Sequence, residues 1–136
     1  MTANTTDTLE ALPFDLLVWR PVDSGSTDGP RMAILWGDPA RGAFGALLRV
    51  PAGFESPMHT HSRDERVIQL RGSSIHWNRG ETRKTAAVMK PGDYMRMPGG
   101  VAHVSATPEG EESLEFITMN GPFDFTITAL DSEVKQ

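Results

Sequence analysis

The sequence contains no cysteine. Disulfides and thiolate zinc sites are therefore excluded, and any metal held by this chain must be held by imidazole and oxygen donors. Long apolar runs are also missing. None approaches the roughly 20 residues that a membrane-spanning helix needs, so no membrane partner is expected. Positive charge is scarce: 13 Lys and Arg against 18 Asp and Glu leave a net charge of -5. Without a basic patch to neutralise phosphates, nucleic acid is not an expected partner either. The opening residues, Met-Thr-Ala-Asn-Thr-Thr-Asp, carry neither the basic stretch nor the following apolar run of a secretory signal. A cytoplasmic location is the expectation.

What is present points to short elements. The 136 residues suit one domain with a single core. Ten Pro and thirteen Gly are spread along the chain, which favours many tight turns over long helices. Residues 1–12 are polar with little periodicity and read as a flexible N-terminal arm, leaving 13–136 as the domain proper. Strands are predicted at 15–19, 31–36, 43–50, 57–61, 64–70, 73–78, 86–90, 93–97, 102–106, 113–119 and 123–129. Turn clusters such as Gly37-Asp38-Pro39, Pro91-Gly92-Asp93 and Pro98-Gly99-Gly100 separate them. In the last strand, Phe123, Phe125 and Ile127 alternate with Asp124, Thr126 and Thr128, which predicts one apolar face. The fold class that follows is all-β, a sandwich or barrel.

Three of the four histidines fall in a suggestive arrangement. His59 and His61 are two residues apart, so on a strand both leave from the same face. If Ser62-Arg63-Asp64 makes a tight connection, Glu65 returns to the same interior from the next strand. His103 arrives from far along the chain, after the Pro98-Gly99-Gly100 turn. Together they make a mixed nitrogen and oxygen site for a borderline divalent ion. A His-x-His pair alone also occurs on strands that bind nothing. Here the glycines at 53, 72, 92 and 100, and the hairpin-sized spacing of the segments, favour the metal.

These segments resemble the two motifs of the cupin superfamily. Residues 53–72, GFESPMHTHSRDERVIQLRG, fit the first in full, and residues 92–107, GDYMRMPGGVAHVSAT, fit the second except that Thr107 stands where Asn is usual. The resemblance implies a single-domain cupin, a double-stranded β-helix or jelly-roll barrel, with His59, His61, Glu65 and His103 as metal ligands. It also implies a homodimer paired through edge strands. The run WGDPARGAFGALLRVPAGFESPMHTH, with the tail TMNGPFDF, is similar to cupins related to the sensor domain of the ChrR anti-sigma factor, a branch that includes diketone-cleaving dioxygenases. No zinc-binding region like that of the anti-sigma proteins precedes residue 13, so a sigma-factor partner is not expected.

Gln69 lies at even spacing from Glu65 and Val67, so it either faces the interior to bond substrate or metal-bound water, or is turned outward by strand irregularity. Glu65 and Gln69 are the candidate catalytic residues. His76 reads as an ordinary strand residue, with pocket lining as the alternative. Tyr94 and Arg96 alternate with Met95 and Met97, and one pair faces inward. Phe44, Phe54, Phe116 and Trp36 are assigned to the core, and Glu81-Thr82-Arg83-Lys84 to a solvated hairpin tip.

The expected function is that of a metal-dependent oxygenase of the dioxygenase type, acting on a small carbonyl or enolisable substrate. Its cofactor is one divalent ion, Fe(II) favoured, with Ni, Mn or Zn as alternatives. A non-catalytic metal-dependent sensor or carrier, or a non-redox isomerase or hydrolase, is the competing reading.

Overall fold

A computed structural model describes residues 7–128. Eleven short strands run in chain order: β1 Arg20–Pro21, β2 Arg31–Gly37, β3 Phe44–Val50, β4 His59–Thr60, β5 Glu65–Arg71, β6 Ser74–Asn78, β7 Ala87–Met89, β8 Tyr94–Met97, β9 His103–Ala106, β10 Ser113–Met119 and β11 Thr126–Ile127. They form two antiparallel sheets, ordered β1-β2-β3-β10-β5-β8 and β11-β4-β9-β6-β7. Non-sequential neighbours in both sheets mark a jelly roll, a double-stranded β-helix with the core between the sheets. No helix of the described residues is long and apolar enough to cross a membrane.

The core follows from alternation. Phe44 and Ala46 of β3, Val67 of β5, Met97 of β8, and Ile117 and Met119 of β10 form one buried cluster. Each burial of a large apolar side chain contributes roughly 1.5–3 kcal/mol. Met95 packs against this cluster while Tyr94 and Arg96 are exposed, so the methionine pair is the inward one.

Several expectations need correction. The strand predicted at 15–19 is a 3₁₀ turn over Phe14–Leu16, with the pairing confined to Arg20–Pro21. Trp36 is not core: it is 53% exposed and lies flat over Gly45, where an added Cβ would stand 2.3 Å from the ring. Phe116 is half-buried beside it, the rings 5.8 Å apart on the outer face. Within the predicted last strand only Thr126–Ile127 pairs, and Ile127 is 66% exposed, because the chain from 121 to 125 crosses the barrel mouth without regular pleat. Residue 129 of that strand, like residues 1–6 of the expected arm, lies outside the described residues. The tip at 81–84 runs into a 3₁₀ turn, Arg83–Thr85, and Arg83 bonds Glu55 at 3.0 Å.

Candidate metal centre

Two sheets supply the site. β4 and β9 of the second sheet pair so that His59 and His103 are direct cross-strand partners. His61 follows β4 at once, and residues 62–64 make the short turn that brings Glu65 in at the start of β5, in the first sheet. The Pro98-Gly99-Gly100 corner packs on that turn. A Cβ on Gly99 would meet the Ser62 carbonyl at 2.7 Å, and the Gly99 amide donates to Asp64 Oδ1 at 2.9 Å. That hydrogen bond, with Arg96, holds the exposed Asp64 carboxyl below its ordinary pKa.

His59, His61 and His103 are buried, and one ligand atom from each lies within 4.8 Å of the others. Their tautomers are fixed by the backbone. Nδ1 of His59 is 2.8 Å from the Pro57 carbonyl, Nδ1 of His61 is 2.6 Å from that of Asp124, and Nδ1 of His103 is 3.1 Å from that of Val101. A carbonyl oxygen only accepts, so each Nδ1 carries the proton and donates it. Each Nε2 is left as a bare lone pair, the form a metal requires. The Nε2 of His103 is buried with no hydrogen-bond partner, the one such side-chain atom among the described residues. An unpartnered buried nitrogen costs about 1–3 kcal/mol. A cation at the centre of the three rings would satisfy it.

Electrostatics agree with this assignment. Burial, the largest cause, pushes His59 down to about 4, and the neighbouring rings of His103 and His61 add to the effect. Burial likewise lowers His61 and His103, against the raising effect of their carbonyl bonds. All three rings are thus neutral at neutral pH. Glu65 is buried and pushed up to about 7 by desolvation. Its Oε2 lies 3.6 Å from His61 Nε2, but with a neutral ring this is not an ion pair. The carboxyl stands beside the three-histidine group, which comprises the imidazoles alone. The donor set of three neutral nitrogens and one carboxylate nevertheless suits a borderline divalent ion.

The site opens on a cavity of about 90 Å³ lined by His59, His61, Glu65, Met97, Ile117 and Phe123, among others. One water-sized group needs roughly 10–15 Å³ by this measure, so roughly six to nine non-hydrogen atoms fit. Phe125 stacks on His59 with ring centroids 4.1 Å apart and stands 41% exposed at the mouth.

Gln69 faces inward, as one of its two sequence readings had it, but its amide is engaged elsewhere. Nε2 donates to the Arg71 carbonyl and to Ser113 Oγ, both at 2.8 Å, and Oε1 accepts from Ser74 Oγ at 2.8 Å. It does not line the cavity. The amide is thus held as an internal brace between β5, Ser74 and Ser113. Two further residues stand in the cavity wall, the first with pocket lining as its alternative reading and the second unread in the sequence. His76 is buried there, with Nε2 2.7 Å from Ser74 Oγ and Nδ1 2.8 Å from Ser105 Oγ. Glu115 is the other. Its signal was available: it precedes Ile117 and Met119 by two and four residues on an alternating strand, a carboxyl on an apolar face.

The family model described as a domain of unknown function, DUF4437, matches residues 2–133. No curated protein is matched by the sequence. Among solved structures, the DMSP lyase DddQ of Ruegeria pomeroyi is similar with a TM-score of 0.67 at 20% identity over 86% of this chain, which spans only 64% of the lyase's length. The polyketide cyclase RemF of Streptomyces resistomycificus gives 0.73 at 15% identity, covering 91% of this chain and 88% of the cyclase. An RmlC-like cupin of Ralstonia eutropha gives 0.68 at 23% identity, covering 90% and 78%. At such identities the likeness establishes the cupin fold, and the site must speak for the chemistry.

Proposed function

Because this chain belongs to the DUF4437 family, built on a cupin fold, we propose that it is a metal-dependent enzyme acting on a small enolisable carbonyl compound, with cleavage by dioxygen as the leading reaction. One observation carries the metal: three Nδ1–H groups are tied to backbone carbonyls, which leaves three Nε2 lone pairs free. His59, His61 and His103 would hold the ion, with Glu65 as fourth ligand. When bound, such an ion supplies Lewis-acid polarisation of a substrate oxygen and, if it is iron, electrons for oxygen chemistry.

The chain's own residues do the rest. Glu65 would ligate the ion as a carboxylate and, on dissociating from it, would take a proton from the carbon beside a carbonyl. Met97, Ile117 and Phe123 line the cavity with apolar surface and limit the water that reaches it. The similarity of residues 36–61, with the tail TMNGPFDF, to cupins related to the ChrR sensor domain, a branch that includes diketone-cleaving dioxygenases, supports the oxygenase form. A second reading is favoured by the same Glu65: proton transfer without an oxidant, as a lyase or isomerase, which the names of the DddQ and RemF neighbours accommodate.

Protein purified without an affinity tag, loaded anaerobically with Fe(II) and given oxygen and pentane-2,4-dione or a hydroxyketone, should consume oxygen in proportion to substrate. Replacing His61 by Ala should reduce the rate at least about tenfold. Deuterium exchange next to the carbonyl without oxygen uptake would move the assignment to the non-redox reading. A ligand that only raises the melting temperature and is recovered unchanged would make the protein a carrier.

A further inference from the structure

The inner face of the six-stranded sheet continues past the cavity. In the register of β2 on β3, Met32 stands opposite Leu48 and Ile34 opposite Ala46, so these four side chains share one face. Ala46 belongs to the buried core and Leu48 lines the cavity, but Ile34 is 44% exposed. Beyond them lies a groove of about 400 Å³, lined by Leu16, Leu17, Val18, Met32, Ile34 and Pro39 among others. Val22 and Phe123 line both spaces, so cavity and groove adjoin across these two side chains. The Phe123 ring lies 5.7 Å from that of His61, centroid to centroid, and its amide donates to the Pro39 carbonyl at 2.8 Å. Phe123 thus stands between a proposed metal ligand and the groove.

The segment that supplies the groove's leucines is held in place by its aromatic residues. Phe14 and Trp19 meet edge to face, 6.1 Å apart. Arg71 of β5 lies over the first ring at 5.1 Å, and Arg49 of β3 over the second at 4.7 Å. Between these two anchors Leu16, Leu17 and Val18 line the groove, with Leu16 70% and Val18 64% exposed. Arg20 is the one charged side chain in the groove wall among the described residues. A contiguous apolar surface left open to water marks a place where something binds. Its continuity with the cavity favours the substrate as occupant over a second copy of the chain.

We propose that the groove extends the substrate site and holds a hydrocarbon substituent, aryl or alkyl, of a carbonyl compound whose reactive oxygens lie at the three imidazoles. The cavity of about 90 Å³ takes the reactive end. The substituent passes Val22 and Phe123 into the groove, where Leu16, Leu17 and Ile34 cover it and set specificity. This assignment rests on the proposed enzymatic reading and names its substrate class.

The test uses the full chain, loaded with Fe(II) under anaerobic conditions, and two probes with the same chelating end. These are pentane-2,4-dione and 6-phenylhexane-2,4-dione, which adds a benzyl group at one terminus. The wild type should bind the phenyl compound about tenfold more tightly. A double variant, Leu16→Gln with Ile34→Gln, changes two exposed positions and should reduce that preference to within about twofold. Its metal content and its affinity for pentane-2,4-dione should match the wild type. Equal affinities in the wild type, or a preference that survives in the double variant, would overturn the assignment. A wild-type oligomer that the double variant dissociates, with both diones bound alike, would give the groove to a second copy instead. A measurement without variants guards against misfolding: in Zn-loaded wild type, magnetic resonance should show the phenyl protons in contact with the Leu17 methyls, and no such contact would sink the proposal. If the wild type takes up no metal, the enzymatic reading fails separately. The same phenyl contacts in metal-free protein would then still support the groove as a hydrocarbon site, and their absence would overturn it.

Discussion

His76 and Glu115 share one desolvated wall, and burial moves them in opposite directions. His76 falls to about 4, with burial first and the rings of His103 and His59 after it, while Glu115 rises to about 8. Each therefore stays neutral, and each links stability to pH with its own sign. For His76 the unfolded chain binds more protons between about 4 and 6.5, so its contribution is complete above 6.5 and is lost as pH falls through that window. For Glu115 the folded chain binds more protons between 4.5 and about 8, so its contribution is complete below 4.5 and is lost as pH rises. Above 6.5 only the carboxyls still change. Chelator-treated protein should therefore melt at progressively lower temperature from pH 6.5 to 8, and Glu115→Gln should show a shallower slope, with Glu65 responsible for the remainder. A slope identical in the variant would mean that Glu115 is not the buried acid. At this scale the sequence was legible where spacing carries chemistry: the clustering of His59, His61 and His103 was named from it. The hydrogen bonds that engage Gln69 depend on which strands adjoin, and no local pattern states that.

Elements were legible where both faces of a strand differ. β3, β5 and β10 lie within a residue of their expected bounds because the signal of an apolar run bounded by turn residues is strong there. It failed at the edges. The 15–19 segment looks apolar enough for a strand, but Pro13 and Pro21 bracket it and it turns before pairing. Trp36 was assigned to the core with Phe44, Phe54 and Phe116, whereas β2 has one face over the core and the tryptophan lies on the other. Among the connections, the corner at 98–100 has the most direct bearing on the site, since it supports the turn between His61 and Glu65. A methyl group on Gly99 would stand 2.7 Å from the Ser62 carbonyl and 3.1 Å from Arg63 backbone atoms. Neither is a flexible side-chain end. Gly99→Ala should thus destabilise the fold by roughly 1–3 kcal/mol and weaken metal uptake together, as the turn carrying Glu65 is displaced. Calorimetry with parallel metal titration checks this, and a variant that melts lower yet binds metal as before would show that the corner supports only the fold.

For the whole molecule, the decisive feature is that the proposed ligands come from both sheets. His59 and His103 belong to the five-stranded sheet, and Glu65 opens β5 in the six-stranded one. An ion held by all of them would tie the two layers at one end of the barrel, at a place where the folded chain otherwise leaves the His103 Nε2 unpartnered. The unfolded chain has no such arrangement, so binding energy becomes folding energy. At a free metal concentration 100 times the dissociation constant the gain is about 2.7 kcal/mol. For a domain of this size that corresponds to roughly 10 °C in melting temperature. Adding Fe(II), Ni, Mn or Zn to chelator-treated protein should raise the midpoint by about that amount for the ions that fit, and chelator should reverse it. His103→Ala should abolish the rise, because the two remaining imidazoles both come from the β4 segment and no longer bridge to its partner strand β9. If the wild-type midpoint ignores every one of these ions, the three rings are a packing cluster. The cost of the buried nitrogen would then have to be offset by the fold alone.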